Sequence, residues 1–501
     1  MAYGFWLLIL FILLVGRLTF LVEPLGVSLD ESNYLAFAEK LSQGGVLYID
    51  AIDRKAPGIF WLYGAIAGVG GSWNLFAVHA TFFVLVTLLC VLAYRIGGKT
   101  AAILYAIFSA CFPREVISCN AELPMLLFLI LSQLLWVKAI RPVEGRRLGF
   151  AVASGICLGI AILFKQYAVL IFGGMALTIL FYERAEWRQR VGHWISISSV
   201  AAVGVIAVWA SVYFHFRLQG ADEAFWNHVL FDGLQYVGSS REVKNEQTGP
   251  WIAIGGMLAS WPLLWWAGFF RARAWTFKSA HDAAALGAGL GALLTIFLSG
   301  RYYTHYFVPL IWYFSIWAAP AVHELWKRRG SYRFLVVAFS LFPFLFYSFF
   351  NLERDRFSKS WSFSRENQAK VQRVGNWIRE NSQPTDRILV WGMAPQLYVT
   401  SERGASGRFI FADYVSGRIP GFKSPESRPL PGAMEKYLED LEKNPPLYFV
   451  DTSSAGLNDY QFFPLDRFTD LKKAIETQYE FLRTQEGIGI WRHRSAEGFY
   501  P

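Results

Sequence analysis

Two adjacent carboxylates, Asp30 and Glu31, open a polar stretch that closes on the basic pair Arg54 and Lys55 before Ala56-Pro57, within a chain otherwise dominated by apolar runs. A carboxylate can take the proton of an attacking hydroxyl, and ammonium or guanidinium groups can hold a departing phosphate. Similar residues recur at three further places. The run Pro113 to Pro124 carries Arg114, Glu115 and Glu122, Lys165 follows an apolar hairpin as Phe164-Lys165-Gln166, and Ser299 to Tyr306 gathers Arg301, Tyr302, Tyr303 and His305. Arg301 can fork onto a phosphate, and His305 can donate to it or to a pyranose hydroxyl. Lys55, with Arg54 in reserve, precedes a proline-fixed turn suited to a phosphate clamp. Each group also has a plainer reading: the acids as the capped start of a helix after Ser28, Arg114 as a partner of Glu115 or of headgroups, Lys165 as a snorkelling ammonium, and the tyrosines as an interfacial belt.

The elements that must position these groups are membrane spans. The chain has 501 residues, 54% hydrophobic and 17% aromatic, with a mean hydropathy of +0.31, a composition that one soluble core does not explain. Runs long enough to cross a bilayer, or nearly so, occur at 3–22, 73–94, 100–112, 123–140, 148–164, 166–182, 194–214, 251–270, 283–299, 306–320 and 334–350. They make about eleven candidate helices. Basic residues collect in every second loop, at 95–99, 138–147, 184–190, 271–278 and 327–333, which places those loops and the N-terminus in the cytoplasm. Residues 23–72, 113–122, 215–250, 300–306 and everything after about 351 then face outward. The net charge of +9 reflects this bias, so a nucleic-acid partner is not expected. The first span lacks a basic leader and an A-x-A-like cleavage site, and reads as a retained anchor. Arg17, inside it, must face the site or a carboxylate such as Glu122, because lipid exposure would be expensive.

Within the long first outer loop, 23–72, Tyr34, Phe37, Ala38 and Leu41 fall at helical spacing, which predicts an amphipathic helix lying flat on the membrane with Asp30 and Glu31 at its start. A second short amphipathic stretch, 59–67, follows Pro57. After about 351 the composition becomes that of a soluble unit. Helices are expected at 367–380 and 434–443 and strands at 387–392, 447–451 and about 487–492, giving an extracytoplasmic α/β domain with a partly parallel sheet over 351–501, beside a transmembrane domain over 1–350. Residues 400–432 read as a long loop or ordered excursion. The four cysteines have no metal spacing; Cys111 and Cys119 bracket the second outer loop and could form a disulfide.

Taken together, Asp30-Glu31, Tyr34, the Gly45/Tyr48/Asp50 run and Lys55-Ala56-Pro57 resemble the first extracytoplasmic loop of the polytopic GT-C glycosyltransferases of the family-39 type, which include the bacterial aminoarabinose transferases and the protein O-mannosyltransferases. Relatives often have Lys-Pro-Pro where this chain has Lys-Ala-Pro. Glu122 close to Pro124, the Phe-Lys-Gln element at Lys165, and Gly300-Arg301 with His305-Tyr306 before Pro309 also resemble elements of that family. The resemblance covers residues 5–350. It implies a GT-C membrane fold and transfer of a hexosyl or pentosyl group, with inversion, from a polyprenyl-phosphate donor to an acceptor hydroxyl on the outer face.

In that reading Asp30 is the base, Glu31 and Glu122 assist it, and Lys55, Arg54, Lys165, Arg301, His305 and Arg114 hold the donor phosphate. Tyr34, Tyr48 and Tyr302 contact substrate. Asp30, Glu31 and Glu122 could together hold a divalent metal ion through oxygen ligands. The implied acceptor is a glycan, lipid or protein of the cell envelope, lipopolysaccharide included, and the implied location is a bacterial inner membrane with the C-terminal domain in the periplasm. Two other classes suit the same composition: a flippase of lipid-linked saccharides, for which charged groups belong nearer the bilayer midplane, and a glycan polymerase or ligase using polyprenyl diphosphate.

Overall fold

The computed structural model describes residues 2–112, 114–140, 146–182, 186–233, 250–274, 277, 279–299, 302–328, 330–353, 365–419 and 424–496. The fold is mostly helical, with one small sheet near the C-terminus. Among the described residues, six helices are long and apolar enough to cross a membrane: Leu75–Phe108, Glu122–Ile140, Arg147–Phe164, Trp187–Leu218, Ala280–Leu298 and Ser331–Leu352. Shorter apolar helices, Tyr3–Gly16, Gly58–Gly70 and Ala168–Thr178, accompany them.

Three of the expected runs are organised differently. The run 251–270 is two helices, Pro250–Ser260 and Pro262–Ala274, because Pro262 brings no amide hydrogen to continue the first. The runs 73–94 and 100–112 join in Leu75–Phe108, broken only at Gly98, whose φ of 76° and ψ of −170° suit a residue without a Cβ. Small residues set the closest packing. A Cβ on Gly155 would collide with the Ala201 carbonyl of Trp187–Leu218, and one on Gly174 with the Gly287 carbonyl of Ala280–Ser299, the kind of close approach that associates helices in lipid.

The first-loop helix, α1 (Leu29–Ser42), starts where Ser28 Oγ accepts the Asp30 amide at 3.2 Å. Instead of presenting one apolar stripe to a membrane surface, it is covered on nearly every side: Leu29 and all of Glu31 to Glu39 are buried. Its aromatic face packs on α2 (Gly58–Gly70), with Phe37 stacked on Phe60 at 4.5 Å and Tyr34 edge-on to Tyr63 at 5.0 Å. Its polar end meets the C-terminal region. Lys40 Nζ donates to the carbonyls of Ala405, Ser406 and Gly407 at 3.2, 3.2 and 2.7 Å, and Arg387 Nη1 donates to Glu39 at 2.7 Å. The polar residues that periodicity assigned to solvent are therefore an interface.

That region holds a five-stranded sheet, β1 (Arg387–Trp391), β2 (Gly404–Ala405), β3 (Tyr448–Asp451), β4 (Tyr479–Gln485) and β5 (Ile488–His493), in the order β2-β1-β3-β5-β4. The β1 pairs with β2 and β3 are parallel, and the pairs of β5 with β3 and β4 antiparallel. Helices Arg365–Glu380 and Ala433–Lys443 match the expected ones. The stretch after 400 is an ordered excursion: Arg418 and Tyr460 both bond to Asp413, at 2.9 and 2.8 Å, at the start of the turn Asp413–Ser416.

Two cysteine and arginine expectations are corrected. Cys111 and Cys119 are free thiols, Cys111 being spent on the Ile107 carbonyl at 3.2 Å. Arg17 is buried and, among the described residues, reaches no carboxylate; its Nη2 donates to Ser109 Oγ at 3.2 Å.

Candidate active site

Asp30 stands in the first turn of α1, between two sources of positive charge. Its carboxylate lies 3.7 Å from Lys55 Nζ and accepts Asn120 Nδ2 at 2.9 Å. Its side chain retains 22% exposure, so it borders open space. Burial opposes its charged form, yet Lys55, His305 and Lys165, with the Asn120 amide, more than offset that and hold the carboxyl below its usual range.

Lys55 is fixed from several directions. Asp53 lies 3.4 Å from its ammonium and also accepts its backbone amide at 3.0 Å. Tyr48, in the left-handed region at φ 71°, donates to its carbonyl at 2.9 Å, and the ammonium lies 5.4 Å from the centre of the Tyr34 ring. Burial opposes the ammonium, but Asp53, Tyr34 and Asp30 raise its pKa well above the ordinary value. Tyr34 and Tyr48 are 0% and 1% exposed, and the Tyr34 hydroxyl donates to Asn120 Oδ1 at 2.7 Å. Tyr302 is half-buried, has φ 49° and meets Phe297 edge-on.

A second charged group forms around Glu122, the first residue of helix Glu122–Ile140. Lys165 Nζ is 3.0 Å from Glu122 Oε1, Tyr167 donates to the same oxygen at 3.2 Å, and His305 Nε2 is 4.0 Å away. Tyr306 lies under the Lys165 ammonium at 5.3 Å. Glu122 is 1% exposed, and its other oxygen, Oε2, has no hydrogen-bond partner.

Of the expected site residues, Asp30, Lys55, Lys165, His305 and Glu122 thus come together. Arg54 is drawn off: its guanidinium stacks 4.7 Å over Tyr414 of the C-terminal region. Arg301 lies outside the described residues, as does the side chain of Arg114. The oxygen-ligand set of Asp30, Glu31 and Glu122 does not assemble, because Glu31 turns to His79 at 2.8 Å and to the Cys119 amide at 2.7 Å while Glu122 turns to Lys165.

Sequence reasoning missed Asn120, Asp53, His79 and the pair His228–Asp232. Asn120 links Asp30 to Tyr34. His228 bonds to Asp232 at 2.7 Å and stacks on Tyr48 at 6.3 Å. His79 carried a signal, since a histidine inside an apolar run must find a partner.

Residues 54–211, a stretch short of half the chain, match the family model described as dolichyl-phosphate-mannose-protein mannosyltransferase. Curated proteins give no match. Among solved structures, ArnT from Cupriavidus metallidurans in the apo state is similar at a TM-score of 0.59 and 14% identity, over 98% of this chain and 98% of that one. The apo oligosaccharyltransferase of Archaeoglobus fulgidus is similar at 0.52 and 13%, over 99% of this chain and 75% of that one. At such identities the likeness is one of fold. The chain therefore has an ArnT-like fold and resembles the polytopic glycosyltransferases of the GT-C superfamily.

Proposed function

We propose that the chain is an integral-membrane glycosyltransferase that moves a sugar from a polyprenyl-monophosphate donor to an acceptor hydroxyl on the extracytoplasmic face. The observation that carries this reading is the pairing of the partly exposed Asp30 with Lys55 at 3.7 Å, beside Lys165 and His305 gathered on Glu122 at 3.0 and 4.0 Å, three cations from three separate segments. One acid at the centre of several cations is what displacement of a phosphate by a hydroxyl requires.

In this mechanism the acceptor oxygen attacks the anomeric carbon as the bond to the phosphate oxygen breaks. The phosphate leaves with the bonding electrons and is held by Lys55, Lys165 and His305, while the acceptor proton passes to Asp30. Attack opposite the leaving group inverts the anomeric centre. A carboxylate held below its usual range is a weak base in the ground state, so it takes the proton late, when the forming C–O bond has made the hydroxyl acidic. The outer-facing division of the chain at about residue 351, the bacterial inner membrane as its location and a cell-envelope acceptor belong to the same proposal.

The test is transfer of radiolabelled sugar from polyprenyl-phosphate donors to a membrane extract by purified protein, wild type against Asp30→Asn. Label entering product with wild type only is the expected result. Failure of every monophosphate donor, with lipid binding retained, would favour a diphosphate-dependent enzyme or a flippase.

A further inference from the structure

Behind Asp30, on the closed side of α1, lies a cluster that the transfer reaction does not use. Glu31 Oε2 is 2.8 Å from His79 Nε2, and Glu31 Oε1 accepts the Cys119 amide at 2.7 Å. One ligand atom from each of Glu31, His79 and Cys119 lies within 4.8 Å of the other two. The three residues are 1%, 3% and 0% exposed. His79 adds a separate observation: Phe20 stacks on its ring at 4.3 Å, and its Nδ1 has no hydrogen-bond partner. A buried imidazole with an idle nitrogen, beside a buried carboxylate and a buried thiol, is an expensive arrangement for hydrogen bonding alone.

We propose that Glu31, His79 and Cys119 form a binding site for a zinc-class divalent cation. Carboxylate oxygen, imidazole nitrogen and thiolate sulfur are the donors such borderline-soft ions take. Their charges fit as well, because one carboxylate and one thiolate neutralise a divalent ion, and a neutral complex is the form a water-poor interior tolerates. Tetrahedral metal–ligand bonds of about 2.0–2.3 Å hold ligand atoms about 3.3–3.7 Å apart, so the Glu31–His79 contact of 2.8 Å would open slightly as the ion replaced the hydrogen bond between them. The ligands come from three elements, α1, helix Leu75–Phe108 and the second outer loop. The ion would pin the start of α1 one residue from Asp30, and so act on position and not on the reacting atoms. This site is distinct from the Asp30, Glu31 and Glu122 set, and its evidence does not depend on sugar transfer.

Purified full-length protein, stripped with chelator and titrated with Co²⁺ under reducing conditions, tests the assignment. Expected are one cobalt per chain and a near-ultraviolet thiolate-to-cobalt band that Zn²⁺ bleaches. Cys119→Ser should lose the band, whereas Cys90→Ser and Cys111→Ser should keep it. No band in the wild type, or a band that survives Cys119→Ser, overturns the proposal. Should Cys119→Ser not fold, the wild type decides alone: a Tm that falls on chelation and returns with zinc supports the site, and an unchanged Tm overturns it. Because these readouts are spectral and thermal, their failure leaves the transferase reading to its own assay.

Discussion

Asp30 and Glu31 are neighbours in sequence, yet the two sides of α1 treat them oppositely. Asp30 borders open space and is held by a cation and an amide. Glu31 is 1% exposed and ties together a histidine and a backbone amide from two other elements. A helix turns about 100° per residue, so adjacent acids cannot share one face. In the proposed reaction one serves as the base while the other joins three parts of the chain, so that an acidic pair need not be a pair of catalytic acids.

The comparison breaks most visibly at Asp30. Asp30→Asn keeps the hydrogen bond from Asn120 within reach but removes the base, so transfer should fall by about 10²- to 10⁴-fold with Tm unchanged, measured by product formation and thermal unfolding in the same detergent. Glu31→Ala should do the reverse. It leaves the Cys119 amide and the His79 ring without their acceptor, a loss of about 2–4 kcal/mol of stability, read as a lowered Tm and poorer expression. A Glu31→Ala protein with wild-type Tm would refute the division of roles.

How much of this was legible in the sequence follows the same division. Asp30, Lys55, Glu122, Lys165 and His305 stood out because charged residues beside apolar runs need partners, and the structure brings them together. His79 lies 48 positions from Glu31, and no local pattern announces that contact. Periodicity misjudged α1 because it reports apolar faces only: the stripe at Tyr34, Phe37, Ala38 and Leu41 says nothing of Glu39 and Lys40, whose partners, Arg387 and the carbonyls of 405–407, lie about 350 residues away in sequence. Strands β1, β3 and β5 were readable as short β-branched or aromatic runs bounded by Pro, Gly and Asp. Strand β4 was not, since Tyr-Glu-Phe-Leu-Arg-Thr-Gln at a sheet edge is largely exposed and lacks a clean alternation.

A smaller effect sharpens the contrast by changing the surroundings of Asp30 and not the acid itself. Its active form is the carboxylate, and its pKa is depressed, so in the wild type the loss of transfer caused by protonating it is confined to pH below the ordinary carboxylate range. Lys55→Met removes the nearest opposing charge and leaves the burial that pushes the pKa upward. The acid limb of the kcat/KM profile should therefore move to higher pH, and the plateau should fall as a phosphate contact is lost. An unmoved limb, with only a lower plateau, would mean that Asp30 is not the group titrating.

The smallest expected effect lies at the far end of the same helix. Arg387 pairs with both oxygens of Glu39, at 2.7 and 2.9 Å, but its side chain is 32% exposed. Pairs of this kind contribute about 0.2–1 kcal/mol and weaken with salt. Arg387→Met should thus lower Tm only slightly and less so at high ionic strength, because Lys40 keeps its three carbonyl acceptors and Ile52 keeps its amide bond to the Arg408 carbonyl at 2.9 Å. Lys40→Met takes the half-buried ammonium away from its three carbonyl acceptors and should exceed Arg387→Met in both Tm and transfer. If the two variants proved equal, the polar end of α1 would be held by charge attraction alone; if Lys40→Met dominates, the carbonyl clamp positions the helix, and the C-terminal sheet acts on Asp30 through nine residues of rigid backbone.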